Sequence, residues 1–278
     1  MTTIAEPRPA LRPADDPVAA TSPRLTARDT ASQTLSMSWR ALKKMRRNPE
    51  QFLDVTIFPL LFTAMFGYIF GGAIAGDVAS YLPVLVPGLI AMQTLTTCIA
   101  TGVTLREDMD KGVFDRLASL PISRFAPLAG PMIADLVRYF VGVALTFVAG
   151  IVMGYRPDGG VLGVTGAIVL AMIAGWSLAW VFSWLSTIAR TARGVQGMSM
   201  MVLFPATFLS NAFVPAESLP GWLEAFVEVN PVSHIVSAVR DLANDGAVTG
   251  QVGWALVGCA AVVAIFAPLA IRSVRRRM

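Results

Sequence analysis

The sequence contains six apolar stretches, each near the length that a helix needs to cross a lipid bilayer. A transmembrane helix takes about 20 predominantly apolar residues, because its backbone polar groups must all be hydrogen-bonded within the segment. The stretches lie near residues 52–73, 84–105, 128–153, 161–188, 198–214 and 251–271. The chain of 278 residues is 55% hydrophobic and only 14% charged, whereas soluble domains are about 25% charged. We therefore predict an all-α polytopic membrane protein with six transmembrane helices.

Positive charges lie almost entirely on one side of these predicted spans. Cytoplasmic loops carry an excess of Lys and Arg, so this asymmetry indicates the orientation of the chain. One set of connecting and terminal segments holds fifteen basic residues: Arg40, Lys43, Lys44, Arg46, Arg47, Arg106, Lys111, Arg116, Arg124, Arg190, Arg193, Arg272, Arg275, Arg276 and Arg277. The opposite loops hold two, Arg156 and Arg240. Both termini of this multi-pass protein of the cell membrane are therefore predicted in the cytoplasm.

The chain before the first span divides into two segments of different composition. Residues 1–34 are rich in Pro, Ala, Thr and Arg, so they are predicted to be a disordered cytosolic tail without a secretory signal. Residues 35–47 combine apolar and basic side chains at helical spacing, which predicts an interfacial helix on an anionic membrane surface. Residues 35–278 are predicted to form one transmembrane domain.

The longest charged segment between two predicted spans covers residues 105–121. Its apolar residues recur every three or four positions and share one helical face: Met109, Val113, Phe114, Leu117 and Leu120. Charged residues occupy most of the remaining surface: Glu107, Asp108, Asp110, Lys111, Asp115 and Arg116. This pattern predicts an amphipathic helix of about four turns that Pro121 ends. Such a helix fits a groove on another protein, or alternatively lies on the lipid surface.

Two features inside the spans are candidates for a transport pathway. Asp135 and Arg138 lie three residues apart on one face of the third span, where an unpaired charge costs about 2.5–3.5 kcal/mol. They are expected to pair with each other, as a structural ion pair or as a gate. Trp176 and Trp180 form an aromatic stripe that continues to Trp184. The stripe either lines a route for a lipophilic compound or packs against a neighbouring helix.

A second amphipathic segment precedes the last span, on the predicted outer side. Its apolar face consists of Leu219, Trp222, Leu223, Phe226 and Val227. The opposite face is acidic, which suits a non-cytoplasmic interface. Asn230 and Pro231 follow, and a further short helix is predicted to carry His234 and Arg240. The sequence offers His234 no second ligand or base, so we interpret it as structural rather than as a proton switch.

The sequence lacks the motifs of an enzyme that releases chemical energy. None of its three lysines follows a glycine, so the phosphate-binding loop G-x-x-x-x-G-K-[ST] is absent. One histidine and two distant cysteines exclude an ordinary zinc site, and no Gly-x-Ser-x-Gly elbow occurs. We therefore predict that this chain is not an enzyme, has no catalytic residues and binds no metal or other cofactor itself.

The charged segment resembles the signature of the permease subunits of ABC type-2 exporters. That signature has an acidic residue after a span, a glycine about five residues on, and then leucine, proline and arginine. The matching residues here are Glu107, Gly112, Leu117, Leu120, Pro121 and Arg124. The pair Asn230 and Pro231, with Arg240 after it, is similar to the external re-entrant helices of the family. The resemblance covers residues 35–278 and is closest to the daunorubicin/doxorubicin-resistance permeases of actinobacteria.

This resemblance implies that the charged segment is a coupling helix that contacts a separate ATPase subunit. The residues that the resemblance implies for the contact with the ATPase subunit are Glu107, Asp108, Lys111, Gly112, Phe114, Arg116, Leu117, Leu120, Pro121 and Arg124. It assigns to the external re-entrant segment Trp222, Phe226, Asn230, Pro231, His234 and Arg240. The implied partners are two ATPase subunits, which hold ATP and Mg, and a second permease that is identical or a sister chain. The implied activity is ATP-driven export of a hydrophobic drug-like compound or lipid.

Other functions remain open. A permease for a lipid-linked polysaccharide or a cell-envelope lipid would share this architecture. The polysaccharide pathway is expected to show aromatic ladders in several spans, and only the fourth span is interpreted as having one. A passive channel would need rings of polar residues along a pore, and an intramembrane enzyme would need clustered titratable groups. The basic residues follow the topology and do not indicate nucleic-acid binding.

Overall fold

The structure is a computed structural model that describes residues 26–47, 49–118, 123, 126–212, 221, 226–228 and 230–275. Regular secondary structure in these ranges is α-helical, without a β-strand. The helices with defined bounds are α1 (Ala27–Arg46), α2 (Pro49–Ile74), α3 (Val78–Asp110), α4 (Val113–Ala118), α5 (Ala126–Val152), α6 (Gly160–Ile188), α7 (Ala192–Phe208), α8 (Pro231–Asp245) and α9 (Gly250–Arg275). The all-α class predicted from the sequence is confirmed for the described residues.

Five helices in the described part of the chain are long and apolar enough to cross a membrane. They are Val55–Ile74 within α2, the whole of α3, α5 and α6, and Gly250–Val274 within α9. Helix α7, the predicted fifth span, has 17 residues and ends six residues earlier than expected, at Phe208. Residues 213–220, which follow it, lie outside the described part of the chain. The multi-pass architecture is therefore established, and the sixth span stays a prediction.

Helix α3 is the central element of the bundle. It is buried along most of its length and packs against α2, α5, α6, α7 and α8. Its core side chains, Tyr81, Leu82, Leu85, Val86, Leu89 and Ile90, join one cluster with residues of α5, α6, α8 and α9. Helices α2 and α9, in contrast, keep long apolar faces exposed, as helices that contact lipid or another membrane subunit do.

The two ends of the bundle carry different short helices. Helix α1 packs across α5 at the end where α3 and α9 finish, and α4 lies beside them. We call this the α1 end. Helix α8 packs at the opposite end, where α3 and α6 begin. We call this the α8 end. A Cβ at Gly163, near the start of α6, would lie 2.2 Å from the Leu242 carbonyl oxygen, so only glycine admits the backbone of α8 there.

Helix α1 begins eight residues before the boundary predicted for the interfacial helix. Thr26 and Asp29 form a capping box, in which the Asp29 amide donates to the Thr26 hydroxyl at 3.2 Å and the Thr26 amide donates to Asp29 Oδ2 at 3.0 Å. The Thr26 hydroxyl also donates to Asp29 Oδ2, at 2.6 Å, and this bond together with that of the Thr26 amide lowers the pKa of the Asp29 carboxyl. The assignment of residues 27–34 to a disordered tail was therefore wrong, because the capping signal at Thr26 was overlooked.

The charged segment is two helices rather than one four-turn helix. Helix α3 continues through Asp110, and Gly112 then adopts a left-handed conformation with φ of 65°. The Gly112 amide donates to the Met109 carbonyl at 3.0 Å, which closes the end of α3. Helix α4 follows with only six residues. The predicted helix is thus interrupted because a glycine in this conformation ends an α-helix; Leu120, Pro121 and Arg124 lie outside the described residues.

Candidate functional site

The apolar side of α4 is buried within this chain. Phe114 is 7% exposed and Leu117 is 8% exposed. Phe114 packs against Leu105 of α3, Leu128 of α5 and Val274 of α9. A helix of six residues is unstable alone, so α4 depends on this packing. The expectation that the apolar face docks into another protein is therefore corrected: Phe114 and Leu117 are buried against their own bundle, whereas Arg116 on the other side of the helix is exposed.

The charged side of the α1 end is held by ion pairs between and within helices. Lys44 of α1 contacts Asp108 of α3 at 2.8 Å, and the two ends of this pair lie 64 residues apart in the chain. Glu107 and Lys111 form an exposed pair at 3.4 Å within the last turn of α3. Exposed pairs contribute little to stability. Together with Asp110 and Arg116, Glu107 and Lys111 form what we call the charged surface.

Asp135 and Arg138 form the buried ion pair that their spacing predicts. Arg138 Nη1 donates to Asp135 Oδ1 at 3.2 Å, and both residues are buried. The Thr101 hydroxyl of α3 donates to the second carboxylate oxygen, Asp135 Oδ2, at 2.6 Å. Both oxygens of the carboxylate are thus hydrogen-bonded, as a buried charge requires. Thr101 could not be recognised from the sequence, because a threonine in a span has many possible partners.

A cavity of about 80 Å³ opens beside this pair, between α1, α3, α4 and α5. We call it the α1–α4 cavity. Asp135 and Arg138 lie at its polar side together with Thr101, while Arg40, Lys44 and Asp108 also line it. The apolar lining comes from Met37, Ala41, Met45, Val113, Phe114, Leu117, Pro127, Pro131 and Ala134. The cavity therefore joins the buried ion pair, the interfacial helix and the predicted coupling helix in one place.

At the α8 end, Asn230 connects the end of α7 to the start of α8. Its Oδ1 accepts the Val232 amide at 3.0 Å and so caps α8, with Pro231 at the first helical position. Its Nδ2 donates to the carbonyls of Ala206 at 2.7 Å and Leu209 at 3.0 Å. The Asn-Pro pair singled out in the sequence thus begins a helix, as predicted, and also satisfies carbonyls that α7 leaves open.

Arg240 and Asn244 hold α8 against α3 and α7. Arg240 Nη2 donates to the Asn211 carbonyl at 2.8 Å, and Asn244 Nδ2 donates to the Pro83 carbonyl of α3 at 3.0 Å. The Tyr155 hydroxyl, from the loop after α5, donates to Asn244 Oδ1. Burial raises the pKa of Tyr155 to about 12, so this hydroxyl keeps its proton at physiological pH. The sequence offered no motif for Tyr155 or Asn244.

His234 lies in a structural contact. Its Nδ1 is 2.7 Å from Gln251 Oε1 of α9, and its ring stacks near Trp254 at 6.5 Å between centroids. Among the described residues, no three His, Cys, Asp or Glu side chains lie close enough together to hold a metal ion. Phe226, which the sequence assigns to the apolar face of the segment before Asn230, is exposed in this chain. Trp222, from the same predicted face, lies outside the part of the chain that is described.

Comparison with known proteins gives the family of this chain. The sequence profile of the ABC-2 type transporter family matches residues 32–243. The chain belongs to the ABC-2 type transporter family. A daunorubicin resistance ABC transporter permease protein of Streptomyces coeruleorubidus is 42% identical over 90% of this chain and 89% of its own length.

More distant relatives carry similar descriptions. A probable doxorubicin resistance ABC transporter permease protein of Mycobacterium tuberculosis is 27% identical over 88% of this chain and 89% of its own length. A probable multidrug ABC transporter permease of Escherichia coli is 24% identical over 56% of this chain and 42% of its own length. This chain is therefore a transmembrane permease subunit, a type of subunit that is not itself the ATPase.

The tryptophan stripe of this ABC-2 permease is divided between packing and an open surface. Trp180 is 2% exposed and packs with Met132 and Ala270, while its ring meets that of Trp176 at 5.9 Å in a T-shaped contact. Trp184 contacts the Phe266 ring of α9 at 5.5 Å. Trp176 is only half-buried and borders an open apolar groove between α5 and α6. Packing therefore accounts for Trp180 and Trp184, and Trp176 remains the candidate for substrate contact.

The permease has a second aromatic ladder that the sequence analysis missed. Phe58, Phe62, Phe66 and Phe70 recur every four residues along α2, with successive ring centroids 3.9, 5.6 and 5.3 Å apart. Phe62 and Phe66 pack against the core, while Phe58 and Phe70 are exposed. The interpretation that only the fourth span carries such a ladder was wrong. Counting aromatic residues at spacing four in every span would have found this one.

Proposed function

We propose that this permease is the transmembrane subunit of an ATP-driven exporter of hydrophobic compounds. Its α1 end faces the cytoplasm, where the fifteen basic residues of that side belong under the positive-inside rule. ATP and Mg are held by separate ATPase subunits, since this sequence lacks a phosphate-binding loop. The exported compound is drug-like or a lipid, a proposal supported by the names of two relatives, which mention daunorubicin and doxorubicin.

The observation that carries this proposal is the attachment of α4 to the bundle. Its buried side contacts α3, α5 and α9 through Phe114, and the adjoining turn of α3 is tied to α1 through Asp108 and Lys44. A force on the charged surface is therefore transmitted to the central helix α3 and to its neighbours. An ATPase subunit that binds the charged surface can use this connection to move the spans.

A second permease, identical or a sister chain, completes the proposed transporter. Helices α2 and α9 each leave a long apolar face exposed in this chain. Such faces suit either lipid or the spans of another subunit. The compound would leave between the two permeases, and Trp176 on its open groove is the residue that we assign to contact with it.

The test exchanges charges on the charged surface without changing the net charge. Glu107→Lys combined with Arg116→Glu is expected to abolish drug-stimulated ATP hydrolysis and export, because the surface would then repel its partner. The measurement is ATPase activity of the complex of permease and ATPase subunits in proteoliposomes. The matched control is Arg156→Glu with Asp158→Lys, which exchanges two exposed charges in the loop after α5, at the opposite end of the bundle. Normal export by the Glu107/Arg116 variant would refute the docking assignment.

Export of a lipid-linked polysaccharide is the second candidate, favoured by the phenylalanine ladder of α2. Exposed aromatic rings can stack on sugar faces, and Phe58 and Phe70 leave part of their rings uncovered. The discriminating measurement is stimulation of ATP hydrolysis by hydrophobic drugs and by lipid-linked saccharides added separately. Stimulation by the saccharides alone would replace the first candidate by this one.

A further inference from the structure

The buried side of the α1–α4 cavity, which we call its floor, is lined by the cationic side chain of Arg138. Arg138 is 6% exposed, and its Nη1 donates to Asp135. Its Nε has no hydrogen-bond partner among the described residues. Thr101 and Arg138 already occupy the two oxygens of Asp135. The group that still lacks a hydrogen bond is therefore a donor, Nε of the Arg138 guanidinium, and the strongest partner for a guanidinium is an anionic acceptor.

The charges around the cavity also favour an anion. Three lining residues are cationic (Arg40, Lys44 and Arg138) and two are anionic (Asp108 and Asp135). Lys44 is paired with Asp108 and Arg138 with Asp135. Arg40 makes no ion pair with any described residue, and its side chain is exposed at the opening. The cavity thus carries one positive charge in excess.

The location of the cavity selects a membrane lipid over a dissolved anion. Leu35 and Trp39 on α1 are 69% and 62% exposed, which places this helix at the membrane interface. A second, open cationic basin on α1 adjoins the cavity and shares Arg40 and Lys44 with it; its other residues are Ser36, Trp39, Lys43 and Arg47. Anionic headgroups concentrate at this level of a cytoplasmic leaflet. The apolar lining between α1 and α4 can contact the glycerol backbone and the first methylene groups of a lipid whose headgroup lies in the cavity.

We propose that the α1–α4 cavity binds the phosphate headgroup of an anionic phospholipid, held by Arg40 at the opening and by Arg138 at the floor. The volume of about 80 Å³ has room for a phosphate group, since a cavity needs only about 10–15 Å³ to hold one water molecule. The acyl chains stay in the bilayer beside α1. This proposal rests on the cytoplasmic orientation of the α1 end proposed above, but not on the identity of the transported compound, and binding needs no ATPase subunit.

A bound headgroup would also act on the predicted coupling helix. It would lie against Phe114 and Leu117 of α4 and would compete with Asp108 for Lys44. Competition at Lys44 weakens the connection between α1 and α3. The anionic lipid content of the membrane would thereby set how firmly the charged surface is held to α1.

The test measures lipid retention by the purified full-length permease with native mass spectrometry. Phosphatidylglycerol is expected to be retained, whereas phosphatidylcholine and glycerol 3-phosphate are not. Arg40→Gln and Ala41→Leu are expected to weaken retention about fivefold or more, the first by removing a charge-assisted contact and the second by filling the cavity. Both positions lie on α1 and contribute no hydrogen bond to the buried ion pair, whose partners are Thr101, Asp135 and Arg138, so the fold is expected to tolerate them.

Two matched variants on the same helix serve as controls. Lys43→Gln removes a charge that does not line the cavity, and Ala31→Leu enlarges an exposed alanine. Both are expected to retain phosphatidylglycerol as the unmodified chain does. An equal loss in Lys43→Gln would show unspecific attraction to α1 and overturn the proposal. Equal retention of phosphatidylcholine, retention of glycerol 3-phosphate alone, or no retained lipid (a cavity that holds only water) would overturn it as well.

Discussion

Side-chain amides complete the hydrogen bonding of helices in this permease. The Pro83 carbonyl would normally accept the amide of residue 87, but Pro87 has no N–H group. Asn244 donates to that carbonyl from α8 at 3.0 Å. Asn230 serves the carbonyls at the end of α7 in the same way. An open carbonyl costs free energy where water is excluded, so these amides are expected to contribute to stability.

Removing the Asn244 amide tests this role directly. Asn244→Ala is expected to lower the free energy of unfolding by about 1–3 kcal/mol, because the Pro83 carbonyl and the Tyr155 hydroxyl both lose their partner. Thermal unfolding of the purified permease in detergent measures the effect. Asp245→Ala, at the exposed neighbouring position, is the control and is expected to change stability little. Equal melting temperatures for the two variants would contradict the assignment.

The two tryptophans of the stripe are expected to behave differently when replaced. Trp180→Leu is expected to lower stability by about 2–4 kcal/mol, because its ring is buried among Met132 and Ala270. Trp176→Leu is expected to change which compounds stimulate ATP hydrolysis while leaving stability nearly unchanged, because its ring borders an open groove. Melting temperature and a panel of drugs separate the two effects. An unchanged compound preference in Trp176→Leu would remove this residue from the substrate pathway.

At the scale of elements, α4 illustrates how a short helix becomes a usable contact site. Six residues cannot form a stable helix in isolation, so α4 exists because Phe114 and Leu117 are buried against the bundle. Its direction depends on the turn at Gly112, whose φ of 65° suits glycine. The angle between α3 and α4, and with it the position of Arg116 relative to Glu107 and Lys111, therefore depends on the conformation of Gly112.

Gly112→Ala is expected to disturb this angle. A Cβ in the left-handed region costs about 1–2 kcal/mol, so the chain would shift α4 or lose stability by that amount. Drug-stimulated ATP hydrolysis is expected to fall, with the permease still folded and bound to the membrane. Gly197→Ala in α7 is the matched control, since no atom lies within 4 Å of its new Cβ, and it is expected to be neutral or slightly stabilising. Full coupling in Gly112→Ala would show that the turn is dispensable.

At the scale of the whole molecule, the permease is a helical bundle with chemically different ends. The α1 end contains the charged surface and the buried ion pair, whereas the α8 end is held by amide, guanidinium and tyrosine hydrogen bonds. Helix α3 runs between them and contacts short helices at both, namely α4 and α8. A movement at one end therefore reaches the other through a single continuous helix.

Cysteine labelling tests the proposed orientation of these ends. Lys111→Cys on the charged surface is expected to be protected from a membrane-impermeant maleimide in intact cells and labelled after permeabilisation. Val248→Cys, exposed in the loop after α8, is expected to be labelled in intact cells. The native Cys98 and Cys259 are buried and give little background. Reversed labelling would invert the topology and end the assignment of the charged surface to an ATPase subunit.

Features that depend on neighbouring residues in the chain were predictable. Asp135 and Arg138 pair because they lie three residues apart on one helix, and α8 follows Asn230 and Pro231 because that pair caps a helix. Features that join distant segments were not. Thr101 bonds Asp135 across 34 residues and Asn244 bonds Pro83 across 161 residues, and neither contact leaves a local pattern. The same reason explains why the buried face of α4 was assigned to a partner protein.

The amino-acid sequence alone determined that this protein is a multi-pass helical membrane protein of the ABC-2 type, because apolar length and local motifs are properties of continuous segments. The tertiary structure decided which faces of those helices are buried within the chain and which remain exposed. It buried Phe114 and Leu117, left Lys111 and Arg116 exposed and Glu107 partly exposed, and formed a cavity beside Arg138. Those outcomes depend on packing between helices that are remote in the chain, and a one-dimensional pattern does not contain that information.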